Sequence, residues 1–254
     1  IMASFSFFNG LLVWIAGLFY LLVNRKNYRI LFVWILSTIV IYAVYFVTWK
    51  RPLHHPSPLY IFHNPVEAVV YFLANIGSGL SGGIRDDRTA VIMAAFFGAL
   101  IVLAILFGFL YDYWNNSISR NAVWWTFVVF SLATSLVLSI GRGGFGAGQS
   151  LASRYVTFTI IGIIGIYLII RQIVLRSSRT GLHTSVFRAF TIIIILGIIL
   201  GNVEGLYMGS VIQDQREEMV KILFNYTNEP NDQLEKLYPD ADTVRTYTPI
   251  LVQF

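Results

Sequence analysis

Six long apolar stretches constrain the fold of this chain more than any other feature of its sequence. A bilayer core about 30 Å thick is crossed by about 20 apolar helical residues, and each stretch has that length or nearly so. Backbone amides inside lipid need internal partners, so such stretches fold as helices. We therefore predict an all-α, polytopic transmembrane helix bundle. The six predicted spans are residues 5–23, 30–48, 90–111, 123–140, 155–170 and 189–211.

Charge divides the chain into two parts. Only 12% of the residues are charged, against roughly 25% in soluble domains. Residues 1–211 carry 14 Lys and Arg against 5 Asp and Glu, whereas residues 212–254 carry 4 against 8. We predict a basic transmembrane region over 1–211 and a short, acidic, soluble tail over 212–254. Because the basic residues lie in short loops beside the spans, where they orient a membrane protein, we expect no nucleic-acid partner.

A seventh segment, residues 65–80, is less regular. It is apolar but contains Glu67, Asn75 and glycines at 77 and 79, so it fits a full span, a re-entrant helix or an interfacial helix. If it does not cross, eight Lys and Arg residues face one side and six face the other before the tail. The two most basic short loops then share a side. The positive-inside rule favours this arrangement of six spans plus one re-entrant or interfacial helix, which directs the loop 141–154 and the tail outward.

The glycine-rich loop 141–154 is the most informative polar stretch. Its glycine spacing matches the dinucleotide fingerprint formally, but that fingerprint needs a preceding strand, and here a span precedes it. Arginine can grip a phosphate through two parallel hydrogen bonds, and glycine lets the backbone approach a ligand closely. The loop is therefore either a site for a lipid phosphate or pyrophosphate, or a flexible connector whose arginines touch ordinary headgroups. The candidate phosphate-binding residues are Arg142, Gly143, Gly146, Gln149, Arg154 and Tyr155.

Four other polar residues are candidates for a wall of the same site. His54 and His55 lie in a proline-rich segment that is either a structured outer loop or a part of the site. Glu67 lies in the seventh segment and Glu204 in the last span, where a carboxylate is costly and often functional. Both are equally compatible with reaching water or pairing with an arginine. The chain has no cysteine and the two histidines have no nearby carboxylate, so we predict no metal and no other cofactor.

Four stretches of the sequence carry a family resemblance. They are SFSFFNGLLVW at 4–14, HPSP at 55–58, the GR…SRY loop at 141–155 and LYPDADTVR at 237–245. They resemble an uncharacterised family of bacterial polytopic membrane proteins, some of whose members look like multi-spanning (GT-C type) glycosyltransferases. The resemblance implies the cytoplasmic membrane of a prokaryote and a position in the C-terminal half of such a protein. It also implies that the catalytic carboxylate, which usually lies in the first outer loop of such enzymes, is outside this chain, so no catalytic residue is assigned.

Two functions remain open. The leading expectation is a membrane glycosyltransferase-like protein that binds or acts on a polyprenyl-phosphate-linked sugar at the outer membrane face, with Arg142 and Arg154 neutralising the phosphate. The alternative is a non-catalytic structural subunit of a larger membrane complex, which the lack of a carboxylate-rich site and of cofactor ligands favours. The expected partners are membrane lipids, a polyprenyl-phosphate sugar and, under the alternative, other membrane subunits.

Overall fold

The computed structural model describes residues 9–24, 27–48, 56–81, 87–176, 181–238 and 240–251. All regular structure within these ranges is helical, which confirms the all-α prediction. Two short 3₁₀ helices, Gly143–Phe145 and Ala147–Leu151, join the α-helices Ala122–Arg142 and Ser153–Arg176. The helices are α1 Asn9–Val23, α2 Tyr28–Thr48, α3 Tyr60–His63, α4 Pro65–Ser81, α5 Asp87–Trp114, α6 Ala122–Arg142, α7 Ser153–Arg176, α8 Gly181–Phe224, α9 Asn231–Leu234 and α10 Ala241–Leu251.

Four of these helices are long and apolar enough to cross a bilayer, and the protein is an integral membrane protein. The four segments are Tyr28–Val47, Arg88–Trp114, Ala122–Phe145 and Ser153–Arg176. They coincide with the second to fifth of the six predicted spans. The first and sixth predicted spans correspond to the shorter apolar helical segments Asn9–Val23 and Phe187–Ile199.

The short helix α4 lies at the centre of the bundle and packs against α5, α6 and α7. Its second half is buried on every side, since five consecutive residues from Ala74 to Ser78 are inaccessible. At Gly77 and Gly98 the backbones of α4 and α5 are so close that a Cβ on either glycine would overlap the backbone of the other helix. Small residues permit such close approach between helices in a membrane. The main apolar core surrounds this contact and includes Ile76, Ile101, Trp125, Val128, Ile166 and Ile169.

A buried carboxylate fixes the connection between α5 and α6. Asp112 is fully buried in the last turn of α5, where the helix macrodipole disfavours a negative charge. It accepts hydrogen bonds from the side chains of Ser117, Asn121 and Trp125, the last two at 2.6 and 2.8 Å. These three donors compensate the charge and hold the turn 115–121 against the start of α6.

The chain divides into two compact units, Ile1–Asn202 and Val203–Phe254. The second unit has a small core of its own, formed by Ile222, Leu234, Ala241 and Val244. Its irregular segments are tied together by Arg245, which donates to the carbonyl oxygens of residues 226 and 229 and to the side chain of residue 231. The candidate site described next lies entirely in the first unit.

Candidate functional site

The loop between α6 and α7 is shaped by two of its glycines. Gly146 has φ = +92°, a conformation that side chains with a Cβ rarely adopt. Gly144 lies against Pro56 and the ring of Tyr60, so that a Cβ there would collide with Pro56. A Cβ at Gly141, Gly143 or Gly148 would meet nothing within 4 Å. Two of the five glycines are therefore needed for the fold of the loop, and the other three leave open space beside it.

Two arginines and two buried tyrosines meet where this loop joins the bundle. The guanidinium carbons of Arg142, at the end of α6, and Arg154, at the start of α7, lie 5.8 and 5.1 Å from the centre of the Tyr155 ring. Tyr155 is fully buried and packs in one cluster with Tyr71 of α4, which is also fully buried. We call Tyr71, Arg142, Arg154 and Tyr155 the tyrosine–arginine site.

Three polar groups in or beside this site have no hydrogen-bond partner within the described part of the chain. The hydroxyl groups of Tyr71 and Tyr155 and the amide oxygen of Gln149 are buried without a hydrogen bond. An ion pair joins Lys236 to Glu218 in the second unit, and among the described residues no acid forms an ion pair with either arginine of the site. A buried polar group without a partner costs about 1–3 kcal/mol, and such groups are rare enough to need an explanation.

The protonation state of Tyr71 suits it to donate a hydrogen bond. Burial raises the pKa of the Tyr71 hydroxyl, and the neighbouring Tyr155 adds to the rise, while Arg142 and Arg154 oppose it. The hydroxyl therefore keeps its proton at neutral pH. A neutral hydroxyl beside two guanidinium groups offers donors, which is the arrangement that an anion needs.

A buried hydrogen-bond network holds the floor of the site. The side chain of Asn75, one turn after Tyr71 on α4, donates to the carbonyl oxygen of Ser150 at 3.0 Å and accepts from Ser135 of α6 at 2.8 Å. Ser139 of α6 donates to the backbone oxygen of residue 68 at 2.8 Å. These bonds tie the loop, α4 and α6 together and fix the positions of the groups above them.

A carboxylate, that of Glu67, lies at the rim of the tyrosine–arginine site. Glu67 precedes Tyr71 by four residues, so the two share one face of α4. It accepts a hydrogen bond from the hydroxyl of Tyr60, and this bond raises the pKa of that hydroxyl. Tyr60 in turn contacts the loop at Gly144. Glu67 is thereby connected to the glycine-rich loop through a single side chain.

The structure brings most of the residues predicted for the phosphate site into one place. Arg142, Arg154 and Tyr155 are in direct contact, and Gln149 lies in the same loop. Gly143 begins the first 3₁₀ helix between the two arginines, and Gly146 joins that helix to the second. These contacts show that the predicted residues lie close together. The binding of a phosphate by them stays a prediction.

The four predicted wall residues have different outcomes. Glu67 lies at the rim as described. His54 and His55 lie outside the described residues. Glu204 lies within α8 in the second unit, and its side chain is outside the described part of the structure. Among the described residues no group of three His, Asp or Glu side chains could hold a metal ion.

Sequence reasoning missed Tyr71. A signal was present, because Glu67, Tyr71, Asn75 and Ser78 are spaced by four, four and three residues, which places them on one helix face. Glu67 and Asn75 differ from the rest of this apolar segment, whereas the ring of Tyr71 resembles its apolar neighbours. The hydroxyl of Ser150, in the same loop, donates to the carbonyl oxygen of residue 147 at 2.7 Å and so serves the loop itself.

The chain is similar to an uncharacterised protein of Archaeoglobus fulgidus. The two are 25% identical over 230 residues, which cover 79% of this chain and 56% of the relative. The chain therefore spans about half the length of the curated relative that it matches. No family model and no solved structure matches the chain.

Proposed function

We propose that this protein binds the phosphate of a polyprenyl-phosphate-linked sugar in the tyrosine–arginine site. The observation that carries the proposal is the pair of buried hydroxyl groups of Tyr71 and Tyr155. Among the described residues these hydroxyls have no hydrogen-bond partner, and the two arginines beside them have no acid partner. A phosphate group between them would accept from all four side chains. Charge-assisted hydrogen bonds of this kind are stronger than hydrogen bonds between neutral groups.

The same arrangement supports a glycosyltransferase-like role. When a sugar is transferred from a lipid phosphate, negative charge develops on the phosphate that leaves. Arg142 and Arg154 would stabilise that charge, because fixed donors act most strongly where charge develops in the transition state. Glu67, which is connected to the loop through Tyr60, would face the sugar.

Replacing each of the two tyrosines by phenylalanine tests whether their buried hydroxyl groups bind a ligand. Tyr71→Phe and Tyr155→Phe each remove a buried hydroxyl that has no hydrogen-bond partner among the described residues. We expect each to raise the free energy of unfolding of the ligand-free protein by about 1 kcal/mol. Each should also weaken the binding of a polyprenyl phosphate by about tenfold, since one hydrogen bond to a charged group is lost. Unfolding and lipid binding are measured on the purified protein in nanodiscs.

Tyr42 provides a matched control for this test. Its hydroxyl donates to the carbonyl oxygen of Leu11 at 3.0 Å, so Tyr42→Phe should lower stability and leave lipid binding unchanged. If Tyr71→Phe and Tyr155→Phe behave like Tyr42→Phe, the two hydroxyls are structural and the proposal is wrong.

We further propose that the bundle crosses the cytoplasmic membrane of a prokaryote six times and that α4 enters and leaves on the outer face. The contacts of α4 support this. Its N-terminal half lies beside the loop and the start of α7, whereas Gly79 lies against Ile160 and Ile163. Those two residues are seven and ten positions into α7, at a depth of about 10–15 Å. A helix that ends there reaches only about halfway through a core about 30 Å thick.

Cysteine labelling tests this topology, since the chain has no native cysteine. Single cysteines at Ser57, Thr89, Gly148 and Ser119 occupy exposed positions. We expect a membrane-impermeant maleimide to label the first three on intact cells and to label Ser119→Cys only after permeabilisation. Labelling of Ser57→Cys and Thr89→Cys from opposite sides would mean that α4 crosses, and equal labelling of Gly148→Cys and Ser119→Cys would refute the six-span arrangement.

The structural-subunit alternative has one observation in its favour. The apolar helix α2 packs mainly against α1, and only 6% of its span is buried, compared with 33–44% for the other three spans. Lipid covers such a surface in the simplest case, and a partner helix would cover it in a complex. If the protein is a scaffold, loss of Arg142 or Arg154 should impair assembly or folded yield and should leave no lipid-phosphate affinity to lose.

A further inference from the structure

The sequence contains two Asn-x-Ser/Thr triplets, the acceptor motif for N-linked oligosaccharides. They lie at residues 115–117 and 225–227. The motif supplies an asparagine amide, which receives the sugar, and a hydroxyl two residues later. Because so short a motif also occurs by chance, the surroundings of each triplet decide whether it can be an acceptor.

The triplet at residues 115–117 is part of the folded turn between α5 and α6. Ser117 is only 1% exposed, and its hydroxyl donates to the buried carboxylate of Asp112. The side-chain amide of Asn115 donates to the carbonyl oxygen of Tyr111 at 2.8 Å, at the end of α5. The hydroxyl that the motif requires is therefore inaccessible in the folded protein.

The triplet at residues 225–227 forms an exposed turn at the end of α8. Asn225 and Thr227 are exposed, whereas Tyr226 between them packs against the small core of the second unit. The backbone N–H of Asn228 donates to the carbonyl oxygen of Asn225 at 2.9 Å and closes the turn. Arg245 donates to the carbonyl oxygen of Tyr226 at 3.0 Å. The turn is thus anchored through its middle residue, which leaves the amide and the hydroxyl of the motif at the surface.

The side chain of Asn225 has room and hydrogens for a sugar. Its nitrogen carries two hydrogens and donates to the carboxylate of Glu229 at 2.8 Å. In N-glycosylation this nitrogen gives up one proton and bonds to the anomeric carbon of the sugar. The bond from that carbon to the oxygen of a lipid phosphate breaks, and its electron pair leaves with the phosphate. The nitrogen keeps one hydrogen, so the bond to Glu229 can persist.

We propose that the second unit carries an N-linked oligosaccharide on Asn225. The donor is an oligosaccharide on a polyprenyl phosphate or pyrophosphate, which a transferase of the cell uses on the outer face of the membrane. The inference rests on the six-span topology proposed above, which directs the tail outward, and is independent of phosphate binding by the tyrosine–arginine site. Because an oligosaccharide is bulky and solubilising, this end of the second unit faces water rather than a protein partner.

Mass spectrometry of the full chain tests the inference. The protein is produced in a prokaryotic host that N-glycosylates its own surface proteins at Asn-x-Ser/Thr, and one of those glycoproteins is purified in parallel as a positive control. We expect one oligosaccharide per chain, carried by the peptide that contains Asn225. Asn225→Gln and Thr227→Ala should each abolish the modification, whereas Thr227→Ser keeps the hydroxyl and should retain it.

The other triplet provides the matched control. Asn115→Gln should leave the oligosaccharide in place, because Ser117 is buried. Thermal unfolding of Asn225→Gln should match that of the enzymatically deglycosylated wild type, which shows that the variant is folded. An oligosaccharide that survives Asn225→Gln and disappears in Asn115→Gln would overturn the inference.

A cysteine in the same unit separates this inference from the topology on which it rests. Asp232 is exposed, and Asp232→Cys is treated with a membrane-impermeant maleimide on intact cells. If it is labelled while Asn225 stays unmodified and the control glycoprotein is modified, the topology stands and the inference is overturned. If it is labelled only after permeabilisation, the six-span topology is wrong and the inference falls with it.

Discussion

Removal of both Arg142 and Arg154 is expected to weaken the binding of a polyprenyl phosphate by about a hundredfold. Each arginine contributes a charge-assisted hydrogen bond worth about 1.5–3 kcal/mol, and every 1.4 kcal/mol corresponds to a factor of ten. Neither arginine forms an ion pair with a described residue of the free protein, so folded yield should change little. Binding is measured by titration of the lipid into the protein in nanodiscs, with thermal unfolding followed in parallel.

The matched control is Arg171→Ala. Arg171 is an exposed arginine on the same helix, α7, near the opposite end from Arg154. Its loss removes the same charge without touching the site and should leave binding unchanged. Lysine at 142 or 154 should restore binding poorly, because it lacks the planar fork of arginine. If Arg171→Ala weakens the binding of the polyprenyl phosphate as much as Arg142→Ala does, binding depends only on the net charge of the protein.

Replacement of Asp112 by alanine is expected to lower the free energy of unfolding by about 3 kcal/mol or more. The carboxylate accepts from Ser117, Asn121 and Trp125, and alanine leaves these buried donors without a partner. Each unpaired buried group costs about 1–3 kcal/mol, although a hydroxyl or amide can turn to another acceptor. The free energy of unfolding is measured by reversible unfolding in detergent or lipid. We expect the loss of stability to be located at the junction of α5 and α6.

Two further variants show whether the hydrogen bonds cause the loss. Asp112→Asn keeps one acceptor oxygen but turns its own N–H groups toward donors, so its effect should be smaller than that of alanine. Asp232→Ala removes an exposed carboxylate from α9 and should change stability by no more than about 0.5 kcal/mol. If Asp112→Ala is as mild as Asp232→Ala, Asp112 does not hold the turn.

The helices could be predicted from the sequence because lipid imposes a simple rule on chain length and polarity. The predicted spans 90–111 and 123–140 are each extended by only one to three residues per end in α5 and α6. The last span was less predictable. Asn202 and Glu204 interrupt its apolar run, and α8 continues to Phe224 without a break.

The site could be predicted only in part, because one of its four residues comes from another segment. Arg142, Arg154 and Tyr155 are neighbours in the sequence across one loop. Tyr71 is more than 70 positions from the loop, and only the packing of α4 against α7 brings it to Tyr155. The role of Asp112 could not be predicted for the same reason, since its hydrogen-bond donors approach it only when α6 folds back on α5.

The central claim is that the protein distinguishes a lipid phosphate from the same lipid without one. The most direct measurement is the affinity of the unmodified protein in nanodiscs for a long-chain polyprenyl phosphate and for the polyprenol of equal length. The tyrosine–arginine site predicts that the phosphate binds at least tenfold more tightly, since at least one charge-assisted bond depends on it. Equal affinities for the two lipids would contradict the claim.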